Sequence, residues 1–436
     1  TPQVIPSTGG HSHAEPGGQR PSCRTAKNIT GGGEFVVQPE NVFPALIWVV
    51  RSVKVGTLDE KQYLCLHEIQ DVALRRELAG YCNPGRCDFC GRAPSEGVVA
   101  FGDFLEEIMS AVRWAYERAS DAAVLFEDGD WLAPTMTLPD IIREILRESD
   151  AVTAEVACVA EEHDDGDAWV RRDYPWPTAE LALHRGWDDF CAAVDACLPV
   201  LEPGSTGQSL EFRKYAPREM LDLIYDMADK TGRIVPLGAD TPLWRSRVSV
   251  EPIECTAAAL GPAPPDRAAA NRMSGAGVSM FYGAEDPLTA QREVLAHHDG
   301  GSPGSVATCR FSLLRDVWIL DLVDLEPVPS IFDRHERELR PFYDFMQHFA
   351  DQVRRPLDPD DVEASGYAYT QIFTQYLRHD TSLVSGIRFQ SVQSQGVNCV
   401  LFAGPERCTD PPAQPQDHLL VLEPGTFMRG PAAMPA

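Results

Sequence analysis

Residues 273–297 read MSGAGVSMFYGAEDPLTAQREVLAH, and this stretch decides the fold class. Gly275 and Gly277 mark a turn. The apolar run 278–284, VSMFYGA, has the length of a buried strand. Asp286 then offers an N-cap and Pro287 a first-turn proline, so a helix follows at once. Leu288 and Leu295 lie seven residues apart and mark that helix's packing stripe. Glu293 falls off the stripe, so the residue pattern alone makes it a solvated helix glutamate.

Working outward, the same alternation continues. Strands are expected at 242–250, 306–312, 317–322 and 397–402, with helices between them, including one around 369–378. Residues 233–436 are therefore expected to form an α+β domain. The stretch from Gly232 to Asp240 is the change-over. Upstream, helical periodicity dominates at 62–81, 101–119, 137–150, 187–197 and 217–230. Residues 37–232 are expected to be a mainly helical domain, with an apolar run FPALIWVV at 43–50. Residues 1–36 are rich in Gly, Pro, Ser and His and are expected to be a flexible tail.

Composition narrows the function classes. At 436 residues and 44% hydrophobic content, the chain is long enough for two cores. A formal net charge of −27 disfavours broad nucleic-acid binding, because phosphates require a basic footprint. A small anion can still bind in a local arginine pocket. No apolar run reaches membrane-spanning length, and the N-terminus lacks signal-peptide features, so a cytoplasmic protein without a membrane span is expected.

Twelve cysteines are too dilute for a disulfide scaffold, but four are clustered. Cys87-Asp88-Phe89-Cys90-Gly91 has zinc-knuckle spacing. Two more ligands are needed, for which Cys65 and Cys82 are the candidates and His67 the competitor. A structural zinc on Cys65, Cys82, Cys87 and Cys90 competes with free thiols. The spacing offers no open position for a catalytic metal.

Four segments in order resemble the RES domain family. They are PLWRSR (242–247), NRMSGAGVSMFYGAEDPLTAQREV (271–294), AYTQIFTQYL (368–377) and SGIRFQSVQSQGVNCVLF (385–402). The resemblance covers roughly residues 235–405. The cysteine-rich start of the upstream half resembles the helical domain that precedes RES domains. There a Cys-x-x-Cys first pair is the pattern, whereas here Glu68 stands three residues after Cys65. The loop start also departs: Asn271-Arg272-Met273-Ser274-Gly275 replaces the more usual Gly-Arg opening.

The resemblance implies an ADP-ribosyltransferase-like fold and consumption of NAD+ as substrate. It places the family's opening arginine on Arg245, its loop arginine on Arg272, its strand tyrosine on Tyr282, its helix glutamate on Glu293 and its late serine on Ser391. Arg247 shares a strand face with Arg245. Glu293, Arg245 and Tyr282 would be catalytic, and Arg245, Arg247, Arg272, Tyr282 and Ser391 would bind NAD+. Planar guanidinium groups suit a pyrophosphate. A carboxylate suits the positive charge that develops on ribose as nicotinamide leaves.

The expected function is therefore an NAD+ glycohydrolase or phosphorylase, acting as a bacterial toxin or defence effector. Transfer of ADP-ribose to a protein and non-catalytic nucleotide binding are the alternatives. An antitoxin or inhibitory protein and a homo-oligomer are the expected partners. Arg292 and His297 also fit an Arg-x4-His ribonuclease spacing, but that pattern is short, common and already explained by the glutamate helix.

Overall fold

The computed structural model describes residues 62–146, 150–163, 167–197, 200–201, 215–239, 241–296, 304–355, 367–381 and 383–432. All of them belong to one compact unit, Val55–Ala436. The other unit, Thr1–Lys54, lies outside the described residues. With it go the expected tail at 1–36 and the apolar run at 43–50.

The upstream half is helical, as its periodicity predicts. Asp71 caps α1 (Val72–Leu78) by accepting the Leu74 N–H at 2.8 Å. α2 (Phe101–Ala115) buries Phe104, Leu105, Ile108, Ala111 and Val112, a stripe at helical spacing. α3 (Leu138–Ile145), α4 (Asp150–His163), α5 (Ala179–Asp195) and α6 (Pro217–Lys230) follow. Three short antiparallel pairs complete this half: β1 (Tyr63–Leu64) with β2 (Val99–Ala100), β3 (Tyr116–Arg118) with β6 (Trp169–Arg171), and β4 (Phe126–Glu127) with β5 (Asp130–Trp131). Helical periodicity predicted that α2 would run to 119. It stops at Ala115 because Tyr116–Arg118 pair with β6, a long-range contact that local pattern cannot show.

The downstream half is built on one nine-stranded mixed sheet. Its strands in chain order are β7 (Ile234–Leu237), β8 (Leu243–Ser249), β9 (Phe281–Ala284), β10 (Ser305–Leu313), β11 (Val317–Asp321), β12 (Val384–Gln390), β13 (Val397–Leu401), β14 (Cys408–Thr409) and β15 (Leu420–Pro431). Their spatial order is β14-β15-β10-β8-β9-β13-β12-β11-β7. Only β11–β12 and β14–β15 pair in parallel. Among the described residues four helices belong to this half: α7 (Ala257–Leu260), α8 (Pro287–Leu295), α9 (Arg340–Arg354) and α10 (Ala368–His379).

Strand alternation divides the core. Phe281, Cys309, Phe311, Ile319, Cys399 and Leu401 point to one face and pack with Ala257 and Leu260 of α7. Leu320, Ile387, Phe389 and Val400 point to the other, against α5, α6, α9 and α10. Helices α5 and α6 of the upstream half therefore share a core with the sheet. A third core holds α1 to α4 and takes in Phe332. Among the described residues no helix is long and apolar enough to cross a membrane.

Candidate active site

Helix α8 begins as the sequence indicates. Asp286 accepts the Thr289 N–H at 2.8 Å, and Pro287 occupies the first turn. Its buried face keeps Leu295 of the expected Leu288–Leu295 stripe but not Leu288. Leu288 is 40% exposed, whereas Thr289 and Ala290 are buried. Glu293 stands one turn beyond Thr289 and so shares the inward face. Gln291 anchors the helix to the sheet by donating to Thr308 Oγ1, which is bonded to Ser246 on the adjacent strand.

The Glu293 carboxylate is held through one oxygen. Ser391 Oγ donates to Oε1 at 2.6 Å, and Asn398 Nδ2 donates to the same oxygen at 2.7 Å. Ser391 is itself fixed, because its oxygen accepts the N–H groups of Gln393 and Ser394. The second oxygen, Oε2, has no hydrogen-bond partner among the described residues. Glu293 and Ser391, each expected at the site, are thus in direct contact.

Tyr282 lies on the same sheet face, since it pairs with Val400 two residues from Asn398. Its hydroxyl meets Ser274 Oγ at 2.8 Å. Burial pushes the Tyr282 pKa up to about 12, against the opposing pull of the Ser274 bond and of Arg245 and Arg272. The hydroxyl is therefore neutral and able to donate at ordinary pH.

Arg272 sits in the turn closed by the Asn271–Ser274 bridge. Its Nη1 donates to Val353 O and Arg355 O, both at 2.7 Å, satisfying carbonyls at the C-terminus of α9. Its guanidinium lies 5.0 Å from the Tyr367 ring centroid. Burial lowers its pKa, and Tyr367, Glu293 and Tyr282 oppose that shift. α10 pins the turn from the other side: Thr370 donates to Arg272 O and Gln371 to Asn271 O.

Arg245 and Arg247 project from the opposite face. Arg245 pairs in register with Cys309 and Arg247 with Ala307, and both partners are buried in the α7 core. Arg245 donates through Nε to Leu260 O at 2.8 Å and through Nη1 to Tyr282 O at 2.5 Å. Its guanidinium packs on the Phe281 ring. Arg247 donates to Gly261 O at 2.8 Å. Burial, and then Arg247, push the Arg245 pKa down to about 10, while burial and Arg267 lower that of Arg247.

Arg245 bridges the sheet where β8 and β9 diverge, for these strands pair only at Trp244–Ala284. Gly283 permits that approach, because a Cβ there would meet the Phe281 ring at 2.8 Å and Trp244 O at 3.2 Å. The structure therefore brings Glu293, Ser391, Tyr282 and Arg272 to one side. It places the Arg245 and Arg247 side chains beneath them, as braces of the turn after α7.

An open groove of about 550 Å³ borders α8, lined by Asp286, Leu288, Thr289, Arg292 and residues 392–396. It contains none of the expected site residues. Gly396 in its lining lies close against α8, for a Cβ there would come within 1.9 Å of Thr289 Oγ1.

In the upstream half, three of the four expected metal ligands meet. The sulfurs of Cys65, Cys87 and Cys90 all lie within 4.8 Å of one another. Cys82 does not join them: its sulfur faces Leu78 O of α1 and packs on the helical core. His67 also stays out, with its exposed ring 4.0 Å from Glu96. Burial and the two neighbouring thiols push the Cys65 pKa up to about 12. Burial acts the same way on Cys87, but N–H donors from Cys90, Cys65 and Phe89 outweigh it and bring the value below the usual thiol range.

Asn398 and Ser274 join the site although the resemblance does not mark them. Asn398 is a polar residue inside the apolar strand segment VNCVLF, a signal that it faces a polar partner. Ser274 carries no such local signal.

Residues 242–422 match the RES domain family, and residues 82–196 match the family HEPN/RES N-terminal domain 1. The resemblance read from the sequence, in both halves, is therefore found independently. No curated protein matches the chain. One similar solved structure is described as the M. tuberculosis MbcT-MbcA toxin-antitoxin complex. Its matching chain is 13% identical over 47% of this chain and 91% of its own, with a TM-score of 0.27.

Proposed function

We propose that this chain, a RES domain behind a RES-associated helical domain, is an enzyme that cleaves the nicotinamide–ribose bond of NAD+. The observation that carries the reading is the Glu293 carboxylate. It is fixed at Oε1 by Ser391 and Asn398, its Oε2 is free among the described residues, and Tyr282 and Arg272 lie on the same side.

In this reading the electron pair of the glycosidic bond leaves with nicotinamide, and positive charge develops at the ribose carbon. Glu293 Oε2 stabilises that charge or holds a ribose hydroxyl. Because the carboxylate is already oriented, it does not have to reorganise as the charge appears. Water attacking the ribose carbon gives ADP-ribose and releases a proton; phosphate attacking gives the 1-phosphate ester. Tyr282 supplies an aromatic wall and a neutral hydroxyl donor. Arg272 supplies positive charge for the pyrophosphate. Arg245 and Arg247 hold the strand and turn beneath the site.

An ADP-ribosyltransferase-like architecture and a role as a toxin or defence effector, held in check by an antitoxin, belong to the same proposal. Both rest on the RES match. The test is direct: purified chain is incubated with NAD+, with and without phosphate, and nicotinamide and the ADP-ribose product are quantified. Turnover in either condition supports the reading. Folded, nucleotide-binding protein that releases no nicotinamide in both conditions refutes it.

A further inference from the structure

We propose that Cys65, Cys87 and Cys90 bind one zinc ion as a three-thiolate structural site, from which Cys82 is excluded. In tetrahedral zinc with sulfur ligands at about 2.3 Å, neighbouring sulfurs stand about 3.8 Å apart. Here Cys65 and Cys90 are 3.6 Å apart, and all three sulfurs fall within 4.8 Å of one another. The chain has brought together residues from two turns more than 20 positions apart, at a spacing that suits one ion.

Both turns are shaped as metal knuckles. In the first turn the Glu68 N–H donates to Cys65 O at 3.0 Å, and in the second the Gly91 N–H donates to Cys87 O at 2.9 Å. The Cys90 N–H also reaches Cys87 Sγ at 3.5 Å. Gly91 takes the left-handed conformation, φ +70°, that closes the second turn, and Arg86 locks it by donating to Gly91 O at 2.7 Å. The thiolate is the form that binds metal, and binding displaces the thiol protons.

The surroundings hold little regular secondary structure. Residues 62–100 hold only the two-residue strands β1 and β2, α1 and two short 3-10 turns. The cluster itself rests on a small core of Cys65, Cys87 and Val98. A metal tying the two turns would add a cross-link to a segment with little regular secondary structure. Three cysteines also suit a metal better than a disulfide, because any one bond leaves the third thiol over. The fourth coordination position falls to a non-thiolate ligand. Glu68 occupies the place in the first turn that Cys90 occupies in the second, but its carboxylate lies outside the group of three.

The full chain is purified under reducing conditions without chelator and its metal content measured, and the zinc is then exchanged for Co(II). The expected results are one zinc per chain, a thiolate-to-cobalt charge-transfer band with the intensity of three sulfurs, and retention of both in Cys82→Ser. Cys65→Ser, Cys87→Ser and Cys90→Ser lose the metal. Since a ligand variant can unfold, the wild type and Cys82→Ser are decisive by themselves. A reduced wild type that binds neither zinc nor Co(II), a disulfide among these residues in the purified protein, a four-thiolate spectrum, or loss of metal in Cys82→Ser would overturn the proposal.

Discussion

Ser391 donates its hydroxyl hydrogen to Glu293 Oε1 at 2.6 Å while its oxygen accepts two backbone N–H groups. The loop at 391–394 thereby sets the direction of a carboxylate that approaches it from a helix 98 residues upstream. Ser391→Ala removes the donor and leaves Glu293 with Asn398 alone. Turnover of NAD+ is expected to fall about 10- to 100-fold, the scale for loss of orientation. KM should change little. A KM effect with unchanged kcat would mark Ser391 as a ligand contact.

Asn398 acts on the same oxygen, so its effect must be coupled to that of Ser391. Asn398→Ala should lower kcat in the same way. The double variant should cost less than the product of the two single effects, because the carboxylate is already loose after the first change. Effects that multiply independently in the kinetic double-mutant cycle would show that the two residues do not share a function.

Tyr282 gives a pH prediction. Its pKa is raised from 10.0 to about 12, so its neutral, donating form persists well beyond the range of a free tyrosine. A raised value means that the folded state holds the proton more tightly. Its contribution to stability is full below pH 10 and is lost as the pH rises towards 12. The alkaline limb of kcat/KM below about pH 10 should therefore be the same in wild type and Tyr282→Phe. A limb near pH 10 that vanishes in the variant would contradict this assignment.

Arg245 and Arg247 should separate from the carboxylate cluster by their effect on stability. Arg245→Ala removes charge-assisted bonds to Leu260 O and Tyr282 O and is expected to cost about 2–4 kcal/mol in urea unfolding. Arg247→Ala loses one bond, to Gly261 O, and should cost about half as much. Stability equal to wild type in Arg245→Ala, together with a large rise in KM for NAD+, would instead make Arg245 a substrate ligand.

The sequence pattern locates most of the downstream elements. Strands expected at 242–250, 306–312, 317–322 and 397–402 appear as β8, β10, β11 and β13 within a residue or two at their ends. β12 and β15 escaped because each is broken by turn-forming residues. Gly386 interrupts β12 at a point where a Cβ would strike Val400 O, and Pro424 and Gly425 interrupt β15. These are long-range strand pairings that local alternation does not reveal.

The resemblance picks out Glu293, Ser391, Tyr282 and Arg272, which lie on one side of the sheet, together with Arg245 and Arg247, which lie on the other. Of the two leucines that periodicity marks as the packing stripe of α8, Leu295 is buried but Leu288 borders the open groove, and Thr289 and Ala290 complete the contact. Small residues can approach a sheet more closely than leucine, and that close approach is what carries Glu293 inward. The zinc-knuckle spacing at Cys87–Cys90 found a real cluster, but proximity in sequence chose the wrong companion in Cys82. That residue follows α1, and its sulfur turns back to a helix carbonyl.

The central claim is that the Glu293 carboxylate is the charge-stabilising group for cleavage of NAD+. Glu293→Gln keeps an oxygen for Ser391 and Asn398 to bind and removes the negative charge. The measurement is nicotinamide release from NAD+ by this variant under saturating substrate, beside a thermal melt and a nucleotide-binding titration. The expected result is a loss of about 100- to 1,000-fold in kcat with folding and NAD+ binding retained. Turnover at the wild-type rate in the folded variant would contradict the account.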